Sequence, residues 1–205
     1  MGEAGAVTSP IVSKCYIADM AVEHRPPPGK YKLTIDDFLR LDETGVFGTD
    51  RTELLDGDVI IMSAEYRPHA WVVGELGYLI RRKLEEIGSD LYAMGASVAV
   101  SIHDMPLPDI VLTREPHGSG PIPLSSVALI IEVSASTLER DIKYKLSMYA
   151  RFGVPEYWVA DVGGRQIHRM WSPAETNYQK RDATPFGEPI TSVTIAGLTV
   201  STREL

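Results

Sequence analysis

The stretch Val127-Ala128-Leu129-Ile130-Ile131-Glu132-Val133 constrains this chain more than any other. A strand that is apolar on both faces must be covered on both, so it belongs inside a sheet with further layers on either side. It is far too short to cross a bilayer, which takes about 20 apolar residues as a helix. Glu132 interrupts the pattern. Glutamate is almost never fully buried without a partner, so Glu132 implies either a structural ion pair with a nearby arginine or a functional site.

The rest of the chain supplies what such a strand needs. Thr34 opens a helix, IDDFLRLDE, with Asp36 and Asp37 in the first turn, where the helix dipole favours acids. Residues 52–62, TELLDGDVIIM, read as two strands about an Asp56-Gly57 turn. The longest helix is expected over 67–87. Pro68 lies in its first turn, Val72, Leu76, Leu79, Ile80 and Ile87 recur at helical spacing, and Gly88 can cap its end. Strands are expected near 90–94, 96–102, 107–113 and 127–133. Ser136-x-x-Glu139 is a capping-box pattern, opening a helix that runs to about Phe152 with Gly153 behind it. EYWVADV, Gly163-Gly164 and RQIHRMW read as strand, tight turn, strand, and residues 177–200 supply further short strands. The whole is an α/β chain, a mixed sheet with helices packed on it. Residues 1–30, rich in Ala, Gly and Pro and ending in Pro26-Pro27-Pro28-Gly29, read as a flexible arm, leaving 31–205 as the folded domain.

Charge and motif content narrow the function. The net charge is −8, which repels nucleic acid at long range and counts against a passive DNA-coating protein. It leaves room for a local basic groove or an acidic metal site. Cys15 is the one cysteine, so neither an internal disulfide nor a CxxC metal knot can form. The N-terminus lacks the apolar stretch of a signal peptide, and the expectation is a soluble, cytoplasmic protein without a membrane span. No GxxxxGK[ST], GxGxxG, HExxH or GxSxG occurs, and aromatic residues do not alternate with basic ones as in single-strand binders.

Two carboxylates stand out. Asp109, in LPDIVLT, starts an apolar strand and is costly to bury unless it is paired or holds a cation. The Gly/Pro-rich loop HGSGPIP between Asp109 and Glu132 lets their strands lie side by side with both acids at one end of the sheet. A hard divalent cation with oxygen ligands relieves the repulsion of such a pair, and it can activate water against a phosphate. The helix after Glu132 carries Lys143 and Lys145, about 200° apart at 100° per residue. Lys145 falls in the arc of Tyr149 and Phe152 and must snorkel or meet an acid, while Lys143 sits at the opposite edge. An i,i+4 pair between Lys145 and Asp141 on a solvated face is equally allowed by spacing. Lys83 also falls on an inner helix face. His69, in the first turn of the long helix, reads as a satisfied core histidine or an auxiliary group. Glu53, heading the first hairpin strand, reads as an exposed edge-strand acid ahead of a metal ligand.

TELLDGDVIIMSA, RPHAWVVGELGYLI, LPDIVLT and LIIEVSASTLERDIKYKLSMYARFGVPEYWVAD follow one another from about residue 31 to 200. In this order they resemble the Uma-two-type family of putative restriction endonucleases, part of the PD-(D/E)XK nuclease superfamily. The resemblance implies a restriction-endonuclease-like mixed β-sheet flanked by helices. It implies Mg²⁺ (or Mn²⁺) held by Asp109 and Glu132, DNA as substrate, and phosphodiester hydrolysis as the reaction. Asp109 would be the PD aspartate and Glu132 the acid of the second motif. Two positions after Glu132 stands Ser134 where the superfamily's usual motif has lysine, and the resemblance points to Lys145 on the following helix instead. Glu53 and His69 match the glutamate of the family's first hairpin and the histidine that opens its first long helix. Restriction-type enzymes often cut two strands with two subunits, which implies a homodimer. The alternative is a catalytically silent nuclease fold used as a binding or assembly module, favoured by the acidic charge and by Ser134.

Overall fold

The computed structural model describes residues 29–62 and 64–205. The arm expected over 1–30, with Cys15, lies almost wholly outside the described residues. Thr34 caps α1 (Ile35–Glu43) in a reciprocal box, its hydroxyl accepting from the Asp37 N–H while the Asp37 carboxylate accepts from the Thr34 N–H. β1 (Thr52–Leu55) and β2 (Asp58–Ile61) form an antiparallel hairpin. Asp56 and Gly57, at φ 50° and 76°, make its turn. A side chain at Gly57 would also collide with Lys32, so crowding and backbone conformation both call for glycine.

α2 (Arg67–Glu86) buries Val72, Leu76, Ile80 and Leu84 along one stripe. Then come β3 (Tyr92–Met94), β4 (Val98–Ala99), β5 (Ile110–Thr113), β6 (Ile122–Pro123) and β7 (Val127–Ser134). The strand expected over 96–102 shrinks to the two residues of β4, because Ser101 and Asp104 close a tight turn through side chain and backbone. Every residue of β7 is buried. After it, α3 (Leu138–Arg140) leads through a π turn, Asp141–Lys145, into α4 (Leu146–Arg151). β8 (Glu156–Asp161), β9 (Gln166–Ala174), β10 (Asn177–Pro185), β11 (Pro189–Thr191) and β12 (Thr199–Ser201) complete the chain.

Six strands form the main sheet in the order β10-β9-β8-β7-β5-β3. β7 and β8 are parallel, joined by the α3–α4 crossover, and the other neighbours are antiparallel. Leu129, Ile131 and Val133 point to one face, where α2 and the β11–β12 hairpin cover them. Ile130 points to the other, against Leu146, Tyr149 and Tyr157. By the two-residue period of a strand, Glu132 shares the face of Ile130 and therefore meets the α3–α4 crossover.

The crossover departs from the single helix expected from Ser136 to Phe152. Thr137 is the N-cap and makes no side-chain cap bond, so the Ser136/Glu139 box does not form. Glu139 is taken by Lys143 at 2.6 Å, and the neighbouring hydroxyls of Ser134 and Thr137 both donate to the Asp141 carboxylate, at 2.5 and 2.6 Å. No helix among the described residues is long and apolar enough to cross a membrane.

Candidate active site

β5 pairs with β7 in a register that sets Ile110 opposite Ile131, which brings Asp109 beside Glu132 at one end of the sheet. The Val133 N–H donates to Asp109 Oδ2 at 2.7 Å, and His69 Nε2, from the first turn of α2, donates to the same oxygen at 3.3 Å. Asp109 is therefore aimed by a neighbouring strand and by a helix at once.

Glu132 is held from the crossover. Lys145 Nζ donates to its Oε1 at 3.0 Å, and the Tyr149 hydroxyl donates to the same oxygen at 3.0 Å. Lys145 also lies 3.0 Å from Glu53 Oε2, which accepts in addition from the Leu107 N–H. Lys145 is 1% exposed and Glu53 fully buried. The reading of Glu53 as an exposed edge acid is thus overturned: Leu54 bonds to Met105 through the backbone, and that segment covers β1. Lys143 is exposed and pairs with Glu139, so the two lysines point opposite ways. Both lie in the π turn, in which the Leu146 N–H reaches back five residues to the Asp141 carbonyl. Such turns occur mostly as single widened turns, often at functional sites. Ser134 is committed to Asp141, and the ammonium beside Glu132 is that of Lys145.

Burial pushes the Glu132 carboxyl up to about 8; Lys145 pulls the other way, and Asp109, Asp141 and Glu53 add to the rise. Burial also works against the Lys145 ammonium, but Glu132, Glu53 and Asp141 outweigh it and hold its pKa above the usual lysine range. The Tyr149 phenol is raised well above its ordinary value, by burial first and Glu132 second, and stays a donor. The hydrogen bond to Asp109 raises His69, which fits an imidazolium between Asp109 and Glu65, whose carboxylate lies 3.9 Å from Nδ1. Glu65, His69 and Asp109 bring their donor atoms within 4.8 Å of one another.

A pH dependence follows. A carboxyl whose folded pKa lies above its unfolded value binds its proton more tightly when folded. Its stabilising contribution is complete below about 4.5 and lost as pH rises towards 8. His69, raised from 6.5, acts in the same sense over a higher range. The metal-free protein is therefore expected to lose stability, by a few kcal/mol at most, between pH 5 and 8. Urea unfolding in chelator should show this loss, and Glu132→Gln should flatten most of it; an unchanged slope in that variant would refute the assignment.

Asp109, Glu132, His69 and Lys145 line one cavity of about 100 Å³, together with Arg140 and Asp141. The residues suit a hard cation. The hydrogen bonds of Asp109 and Glu132 engage one oxygen of each, leaving Asp109 Oδ1 and Glu132 Oε2 without a bond among the described residues. Sequence reasoning placed Tyr149 only as an apolar residue, although its spacing of four from Lys145 sets both on one helix face. Arg140 carried no signal, and Asp141 was read only as a solvated-face partner for Lys145, whereas it is buried and accepts from Ser134 and Thr137.

Residues 35–203 match the family model Uma2, described as "Putative restriction endonuclease". Among solved structures the chain resembles a putative nuclease belonging to DUF820 from Anabaena variabilis ATCC 29413. The TM-score is 0.60 and the identity 18%, over 84% of this chain and 96% of that one, a likeness of fold. None of the curated proteins matches.

Proposed function

Because the chain belongs to the Uma2 family of putative restriction endonucleases, we propose that it hydrolyses phosphodiester bonds in DNA, with Mg²⁺ or Mn²⁺ held by Asp109 and Glu132. One observation supports this most: a lysine buried between two glutamates, one of which shares a cavity with a second strand-borne carboxylate. Such a cation, when bound, activates water and neutralises charge on the phosphate. The chain's own residues do the positioning. Lys145 and Tyr149 fix one oxygen of Glu132 and so turn the other towards the cavity. His69 and the Val133 N–H do the same for Asp109. Glu53 holds the Lys145 ammonium in place, and Lys145 brings positive charge next to the reacting phosphate.

The near-complete burial of Lys145 favours a second reading, a silent nuclease fold in which this ion trio is structural. Metal binding separates the two. A saturating cation at 100 times its Kd stabilises a folded protein by about 2.7 kcal/mol. Thermal unfolding with Mg²⁺ or Mn²⁺ should show a gain of that order in the wild type and none in Asp109→Asn, and chelator should stop cleavage of plasmid DNA. A wild type whose melting ignores both metals would rule out the hydrolytic reading.

A further inference from the structure

One charged group on the cavity wall is left uncommitted by the site as described. Arg140, the last residue of α3, lines the cavity and is 36% exposed in its side chain. Its guanidinium lies 3.8 Å from Glu53 Oε1 and 3.9 Å from Asp141 Oδ1, beyond hydrogen-bond length in both cases. Arg140 Nε is buried without a hydrogen-bond partner, and so is Glu53 Oε1, which faces Arg140 Nη1. Arg114 pairs with Asp90, Arg165 with the Leu205 carbonyl and Arg169 with Asp182, while Arg140 is the arginine that lines this cavity among the described residues. A buried unpaired donor costs free energy, and a guanidinium carries five donors in a planar fork. Glu53 and Asp141 hold Arg140 at the cavity by charge while leaving that fork unspent.

We infer that Arg140 is the residue by which this cavity grips a phosphate group: its fork takes two non-bridging oxygens of a phosphodiester lying across Asp109 and Glu132. The inference rests on the nucleic-acid reading above and adds a binding contact that the carboxylates cannot make. Arginine suits it because the fork matches the phosphate oxygens two at a time, which a lysine ammonium does not. The position also answers the charge problem. A protein of net charge −8 repels a phosphate at long range, and a guanidinium at the cavity is a local cation within reach of the acids that would hold metal.

The test is binding, kept separate from cleavage. A fluorescent oligonucleotide is titrated with full-length protein in Ca²⁺, and inorganic phosphate is used as competitor. Arg140→Ala and Arg140→Gln should weaken binding about 10- to 100-fold, as for loss of a charge-assisted pair. Arg140→Lys should recover only part of it, and Lys180→Ala, an equal loss of charge on exposed β10, should change little. Loss of both oligonucleotide binding and phosphate competition assigns phosphate as such; loss for the oligonucleotide alone assigns the phosphodiester of a strand. Wild-type binding by folded Arg140 variants, full recovery in Arg140→Lys, or no binding by the wild type would overturn the inference. Arg140-dependent binding without cleavage in Mg²⁺ or Mn²⁺ would leave it standing while the hydrolytic reading falls. Cleavage unaltered in Arg140→Ala would do the reverse.

Discussion

Lys145→Ala is expected to reduce cleavage by on the order of 10²–10³ and to destabilise the protein by about 3–5 kcal/mol, while Lys143→Ala changes neither measurably. The first variant leaves Glu53 and Glu132, both buried, facing each other across the space the ammonium filled. Like charges in such a place cannot both remain ionised, so protons must be taken up, and Glu132 is already raised to about 8 with Lys145 present. The destabilisation should therefore grow as pH rises from 6 to 8. Lys143 loses only an exposed pair with Glu139, and exposed pairs contribute little. Because Lys145→Ala also opens a cavity, Lys145→Met is the companion variant: it keeps the apolar stem and removes the charge. Single-turnover cleavage and urea unfolding of all three variants decide the matter. A Lys145→Met protein that cuts like the wild type, or a Lys143→Ala protein that fails to cut, would reverse the assignment.

Glu156→Gln should cost about 3 kcal/mol or more of stability with little effect on cleavage by the protein that stays folded. Glu156, at the start of β8, is fully buried and accepts from Trp158 Nε1, the Ser192 hydroxyl, the Val193 and Thr194 N–H groups and the Thr194 hydroxyl. A glutamine keeps one acceptor and turns an amide donor towards the rest. Each buried donor left unpaired costs about 1–3 kcal/mol. Glu132 is opposite Val159, three residues further along β8, and Glu156 does not line the cavity, so the acid fastens the β11–β12 region to the sheet without touching the cavity. A shift in the urea midpoint equivalent to less than 1 kcal/mol would show that this cradle is not what holds the C-terminal segment.

Glu156 lies in EYWVADV, where the sequence shows a strand and nothing more. Its five donors come from its own strand and from residues some 36 positions on, and no local period records such a meeting. Elsewhere local rules sufficed. The apolar run of β7, the Asp56-Gly57 turn, the stripe of α2 and the opposite headings of Lys143 and Lys145 follow from alternation, turn chemistry and helical spacing, which each residue and its near neighbours settle among themselves. The proximity of Asp109 and Glu132 followed from two strands and a loop long enough to pair them. What tertiary structure decided is who meets whom across elements. Glu53 looked like an edge acid because nothing near it in the chain shows that the segment at Met105 covers β1. The Ser136/Glu139 capping pattern gave way to a helix whose N-cap is Thr137, and the Thr137 hydroxyl, like that of Ser134, is spent on the Asp141 carboxylate that the fold seats beside it; charge-assisted bonds are about twice as strong as neutral ones. The Tyr149 bond to Glu132 has the same origin: a buried charge takes whichever partners the packed elements bring within about 3 Å, and that distance exists only once the chain has folded.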